Sequence, residues 1–223
     1  MRIILTEKQL RKLVEDISYP SQFNLEYFRN IKTFNDRVKY CNMYLQRIAS
    51  GSSRIVYKID DNTALKIAKN TKGIAQNNAE NDWYLQSCEL FSHIINSDDK
   101  NTWIEVELAK KAKPSDFKRL TGYSFDVICD WIDYCHSAYS RYGLKNFKYK
   151  ELFDSDEFVD NMEYTIFYEL NDYLGNYQLE AIGDLKRISS WGIVNKDGEE
   201  RLVLVDYGLN DSVNDEFYSR KRR

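Results

Sequence analysis

The sequence predicts an α+β chain in two lobes: a small antiparallel sheet, then a mostly helical half. Three observations carry that reading. Around Leu45 the apolar period changes from helical to alternating, and short β-branched runs joined by tight polar turns follow as far as Leu108. From Ser115 the apolar residues return to helical spacing and are rich in Phe, Tyr and Trp. Near the end, Leu202 to Val205 form an unbroken apolar run, as in a strand buried on both faces, and the run stops at Asp206-Tyr207-Gly208. The expected divisions are a helical N-terminal extension over 1–44, a sheet lobe with one helix over 45–112, a helical lobe over 113–210 and a basic tail over 211–223.

Taken in order, Ile3, Ile4 and Leu5 make a short extended piece. Thr6 then N-caps a helix, with Gln9 three residues on as its capping-box partner. Leu10, Leu13, Val14 and Ile17 give that helix one apolar stripe, suited either to packing on its own domain or to docking a protein partner. Phe23, Tyr27, Phe28 and Ile31, then Phe34, Val38 and Cys41, lie at helical spacing, so one or two short helices precede residue 45. Three strands follow, near Leu45–Ile48, Ile55–Ile59 and Thr63–Ala68, linked by tight polar connections as an antiparallel meander. Between the first two, Gly51, Ser52 and Ser53 are small enough for backbone N–H groups to approach an anion. Lys66 sits inside an apolar strand and must snorkel outward or meet a negative partner.

A helix is expected over 71–88, carrying Glu80 where it can face Lys66. His93–Ile95 and Thr102–Leu108 read as a hairpin with one solvated face, and the lysine-rich 109–114 then leaves the sheet. Helices are expected around Phe117 and Leu120, over 125–142, and as one piece from about Ser155 to Gly175. A polar loop, Gly183-Asp184-Leu185-Lys186, precedes a final hairpin whose strands hold Ile193–Val194 and Leu202–Val205. A carboxylate at the mouth of such a strand is costly unless a cation meets it, and Gly208 allows a sharp turn or a close approach.

Composition excludes several function classes. With 223 residues, 43% hydrophobic and 30% charged, the chain suits a soluble globular fold with a substantial core. A net charge of −3 argues against a general nucleic-acid binder, and the closing Arg220-Lys221-Arg222-Arg223 reads as a solvated tail. Cys41, Cys88, Cys129 and Cys135 form no CxxC pair and suit free thiols in a reducing cytoplasm. With only His93 and His136 beside them, a zinc site is not expected. No apolar run reaches membrane-span length, and no signal peptide is visible after Arg2.

The order of features resembles the protein-kinase-like fold over residues 45–210. Ala49-x-Gly51-x-x-Arg54-x-Val56-Tyr57 stands where that fold carries its glycine-rich loop, and Ala64-Leu65-Lys66 where it carries Ala-x-Lys. Glu80 matches the helix partner of that lysine. Gly183-Asp184-Leu185 resembles the catalytic loop of small-molecule kinases, with Ile182 in place of histidine, and Asp206-Tyr207-Gly208 matches Asp-Phe-Gly. The resemblance implies ATP and Mg²⁺ as cofactors. Gly51, Ser52, Ser53, Lys66 and Glu80 would serve the nucleotide, Asp206 and Ser189 the metal, and Asp184 the attacking hydroxyl.

Three departures bear on activity. Ser189 stands where the second metal ligand is an asparagine. The loop has lost two glycines, and the bulky Arg54 could contact phosphate instead. The stretch after Gly208 is too short for a full activation segment and the later helices, so a truncated helical lobe is expected. These departures favour a nucleotide-binding module with weak or absent catalysis, a pseudokinase. The alternative is an active, atypical ATP-dependent phosphotransferase with Asp184 as base and Asp206 as Mg²⁺ ligand. The opening residues also resemble those of tailed-bacteriophage proteins, which implies a virion or host-interaction protein, in the bacterial cytoplasm or the virion.

Overall fold

The computed structural model describes residues 22–139, 147–162, 165–177, 182–196 and 198–218. Two short helices come first, α1 (Leu25–Asn30) and α2 (Phe34–Tyr44). Asn24 caps α1 by accepting the Tyr27 N–H at 2.8 Å, and Thr33 caps α2 by accepting that of Asp36. The meander follows as β1 (Gln46–Ser50), β2 (Arg54–Lys58) and β3 (Thr63–Ala68), with Asp60 accepting the Asn62 and Thr63 N–H groups at 2.8 Å in the β2–β3 turn. Helices α3 (Thr71–Glu80) and α4 (Trp83–Ser87) lead to β4 (Ile94–Ser97) and β5 (Trp103–Glu107). The five strands form one antiparallel sheet in the order β1-β2-β3-β5-β4.

The pleat of this sheet sorts its residues onto two faces. Tyr57, Leu65, Ile67 and Trp103 bury against Phe28, Tyr40 and Cys41 of the first two helices. Ala64, Ile104 and Val106 line the other face, the one Lys66 shares. Residues 25–44 are therefore part of the sheet lobe's core rather than an extension of it. The capped helix expected over residues 6–17, with the partner docking it would serve, lies outside the described residues. The helix expected over 71–88 is two helices, because α3 ends at Asn81 and the Asp82 carboxylate starts α4 by accepting the Tyr84 N–H at 2.9 Å.

The helical lobe contains α5 (Pro114–Thr121), α6 (Phe125–Tyr139), α7 (Lys150–Phe153), α8 (Asp156–Asp160) and α9 (Ile166–Tyr177). Its core is aromatic: Trp131 meets Phe153, Phe158 and Phe167 with ring centroids 5.1, 5.3 and 5.9 Å away. The single helix expected from Ser155 to Gly175 is broken between α8 and α9, and the break brings Phe158 and Phe167 onto the same indole from two directions. The lysine-rich segment after β5 does not simply leave the sheet. Lys110–Lys111 form β6, which joins β7 (Trp191–Lys196) and β8 (Glu199–Leu204) in a second antiparallel sheet. Beyond it, the first part of the stretch assigned to the basic tail forms α10 (Asp211–Phe217), which is capped by Asn210, buries Val213 and contacts α3. The closing basic residues lie outside the described ones. None of the helices, among the described residues, is long and apolar enough to cross a membrane.

Candidate functional site

The site grows from one fully buried carboxylate. Glu80 is 0% exposed, near the end of α3, and meets two cations. Its Oε2 accepts from Lys66 Nζ at 2.6 Å, and its Oε1 accepts from Arg54 Nη1 at 2.7 Å. The antiparallel register of β2 and β3 makes this possible, because Val56 is opposite Lys66 and Arg54 opens the same strand. Lys66 also donates to the carbonyl of Val205 at 2.8 Å, so the strand from the sheet lobe reaches across to the end of β8. Burial alone would raise the Glu80 carboxyl, but the Arg54 and Lys66 charges outweigh it and hold the group below its usual range. Burial pushes the Lys66 ammonium down, with Glu80 opposing. Arg54, also pressed by burial, is kept charged by Glu80 and Asp206.

The second acid comes from the strand end. Arg54 Nη2 lies 2.6 Å from Asp206 Oδ1, a contact spanning the whole sheet lobe and helical lobe in sequence. Tyr207 is buried, its ring 4.6 Å from Phe91 and beneath the Lys66 ammonium at 5.9 Å. Its hydroxyl donates to the Ser92 carbonyl at 2.8 Å and accepts from Gln86 at 3.0 Å, bonds that a phenylalanine there would not make. Gly208 passes against α3 so closely that a Cβ would lie 2.5 Å from the Gln76 backbone oxygen. Glycine is needed here for close approach rather than for a positive φ.

The loop before β2 is tied to the same helix. Ser53 Oγ donates to Gln76 Oε1 at 2.5 Å, and the Ser53 carbonyl accepts from the Lys69 N–H at 2.7 Å. Next to Asp184, the Leu185 carbonyl accepts from Trp191 Nε1 at 2.7 Å, which ties down the turn. The Asp184 carboxylate takes no part in that bond and pairs with Arg187 at 2.8 Å.

Together these groups enclose a cleft of about 420 Å³ between the lobes. Of the sequence-predicted residues, Gly51, Ser52, Ser53, Lys66, Asp184, Ser189 and Asp206 line it, and Glu80 stands behind Lys66 rather than on the wall. Sequence reasoning did not name the apolar wall formed by Val56, Ala64, Val106 and Leu108, nor the part played by Asn77, which faces Arg54 at 3.4 Å. The alternation of β2, β3 and β5 was the available signal for that wall.

The two-lobed arrangement, with a strand lysine held by a helix carboxylate over an Asp-aromatic-Gly turn, decides the architecture. The fold is protein-kinase-like.

No family model and no curated protein sequence matches the chain. Among solved structures, it is similar to a GDP complex of an aminoglycoside 2'-phosphotransferase-IIIa variant, at 11% identity and a TM-score of 0.37, covering 82% of this chain and 69% of that one. A streptomycin–ATP complex of APH(2")-IIa matches at 9% identity and a TM-score of 0.34, covering 80% and 71%.

The cleft suits unequally the two groups, a nucleotide and a divalent cation, that the sequence resemblance implies. A nucleotide fits: the volume lies in the usual range for small-ligand sites, one wall is apolar, and two cations lie at the floor. A divalent cation does not fit the arrangement as it stands. One Asp206 oxygen, Oδ1, faces a guanidinium, which leaves the other Asp206 oxygen and the neutral Ser189 hydroxyl to offer a cation. Among the described residues no group of three or more His, Cys, Asp or Glu is placed to hold a metal ion.

Proposed function

We propose that this chain binds a nucleotide in the cleft between its lobes and acts as a kinase-like module with weak or absent phosphoryl transfer. The observation that carries this is Lys66, buried at the cleft floor and bridging Glu80 of one lobe to the Val205 carbonyl of the other. A lysine in that position meets an incoming phosphate with its charge already oriented and its partner already in place. The apolar wall suits a flat base, and the small residues from Gly51 to Ser53 leave room above the phosphates. The pairing of the acids supports the reading of weak transfer. Asp206 is engaged by the nearly buried Arg54, and Asp184 is in a partly exposed pair with Arg187.

A second reading, phosphoryl transfer from ATP with Asp184 accepting the proton of an acceptor hydroxyl, draws on the placement of Asp184 and Lys66 on one cleft. One set of experiments separates the two. Fluorescent ATP-analogue binding is measured in wild type and Lys66→Met, with magnesium and with EDTA, alongside phosphate release and autophosphorylation. Saturable binding weakened by Lys66→Met, with no turnover, fits the module. Turnover abolished by Asp184→Asn establishes the transferase. No binding in any buffer rules out both.

A further inference from the structure

We propose that the Arg54 guanidinium is a built-in cation that takes the place of a divalent metal at Asp206, so that the cleft accepts a nucleotide polyphosphate free of metal. The inference rests on the reading that the cleft binds a nucleotide. Arg54 opens β2 at the position where the resemblance would put a loop glycine, and its side chain is only 10% exposed. It comes from the buried side of the site and is fixed at three points: Glu80 at 2.7 Å, Asn77 at 3.4 Å and Asp206 at 2.6 Å. A group held this way cannot leave as an ion does, and its planar fork is ordered before any ligand arrives.

The charge balance points the same way. At the floor, Arg54 and Lys66 meet Glu80 and Asp206, so the two acids are already balanced without a metal. Asp206, 61% exposed, would by itself repel a phosphate, and Arg54 neutralises it. A divalent ion set on the same Asp206 oxygen would sit against the guanidinium and be repelled. The guanidinium carries five N–H donors, more than its contacts with Asn77, Glu80 and Asp206 use, and Arg54 lines the cleft. Fork-shaped donors of this kind suit phosphate oxygens.

The test uses the full chain and ATP, with binding followed by calorimetry in excess EDTA and in excess magnesium chloride. Wild-type affinity is expected to agree in the two buffers to within about threefold. Asp206→Asn is the sharpest variant, because Asp206 is largely exposed and its loss should leave the fold intact. If Asp206 faces Arg54 rather than a metal, the variant binds ATP in EDTA at least as tightly as wild type, since the guanidinium charge is no longer offset by the carboxylate. Arg54→Gln should lose about ten- to a hundredfold in EDTA, the usual worth of a charge-assisted contact. Arg54→Lys, which keeps the charge and loses the fork, gives the same comparison in a variant closer to the native ion pairs. Binding that requires magnesium in wild type, or that collapses in Asp206→Asn, overturns the inference and leaves the nucleotide reading standing. Absence of binding in both buffers removes both together.

Discussion

Replacing Glu80 by glutamine preserves the size of the side chain and removes its charge. Glu80 is fully buried, and both its oxygens are engaged, with Lys66 at 2.6 Å and Arg54 at 2.7 Å. At an effective dielectric of about 20, each pair attracts by about 6 kcal/mol, which desolvation of the charges largely offsets. The loss on breaking one partner of a buried set is about 3–5 kcal/mol, because the orphaned cation remains buried. Arg54 would keep Asp206, but Lys66 would keep only the Val205 carbonyl and the amide. For a chain of this size that corresponds to a fall in Tm of about 6–20 °C.

The assay is urea unfolding followed by far-ultraviolet circular dichroism, with Lys66→Met and the double variant completing a cycle. The double variant should be more stable than the sum of the single losses, since no ammonium is stranded. The pH dependence has a definite sign. The folded Glu80 carboxyl lies below its ordinary value of 4.5, so its contribution is fully present above that value and is lost as pH falls through the lowered one. Glu80→Gln should flatten this acid limb. A Glu80→Gln protein within about 0.5 kcal/mol of wild type, or strict additivity with Lys66→Met, would refute the claim that these charges are buried and coupled.

Three further outcomes are expected. Gly208→Ala should destabilise by about 1–3 kcal/mol, because its methyl would lie 2.5 Å from the Gln76 backbone oxygen, whereas Gly51→Ala, with no atom within 4 Å, should stay near wild type. Equal urea midpoints for the two would show that the turn and α3 are not in backbone contact. Phe28→Ala should cost about 3–5 kcal/mol, since the ring is fully buried and lies edge-on to Trp103 at 5.5 Å; a neutral result would return the first two helices to the status of an appendage. Burial pushes the Cys41 thiol up to about 12 and Cys129 up to about 11, and raises Cys88 and Cys135 as well. All four should therefore resist iodoacetamide at neutral pH until urea is added, as mass spectrometry of pulse-labelled protein would report.

The amino-acid sequence by itself determined the strands of the sheet lobe, since alternation around Val56 and Lys66 and the Asp60 turn are local signals. It also set the order in which a small-residue loop, a strand lysine, a helix glutamate and two acids occur, which is why the cleft residues were legible before any coordinates. Helix breaks at Asn81 and after Asp160 were not, because a cap or a turn competes with apolar periodicity by only a small margin. Nor was the burial of Phe28 and Tyr40 against β3, which depends on two helices crossing a sheet formed later in the chain. The pairing of Lys66 with Glu80 was legible in the sequence; tertiary structure alone decided that Arg54 joins Glu80 and meets Asp206. Arg54 and Asp206 are 152 residues apart, and Coulomb attraction carries no sequence period, so only the folded backbone brings the guanidinium to the acid and gives Glu80 two partners instead of one.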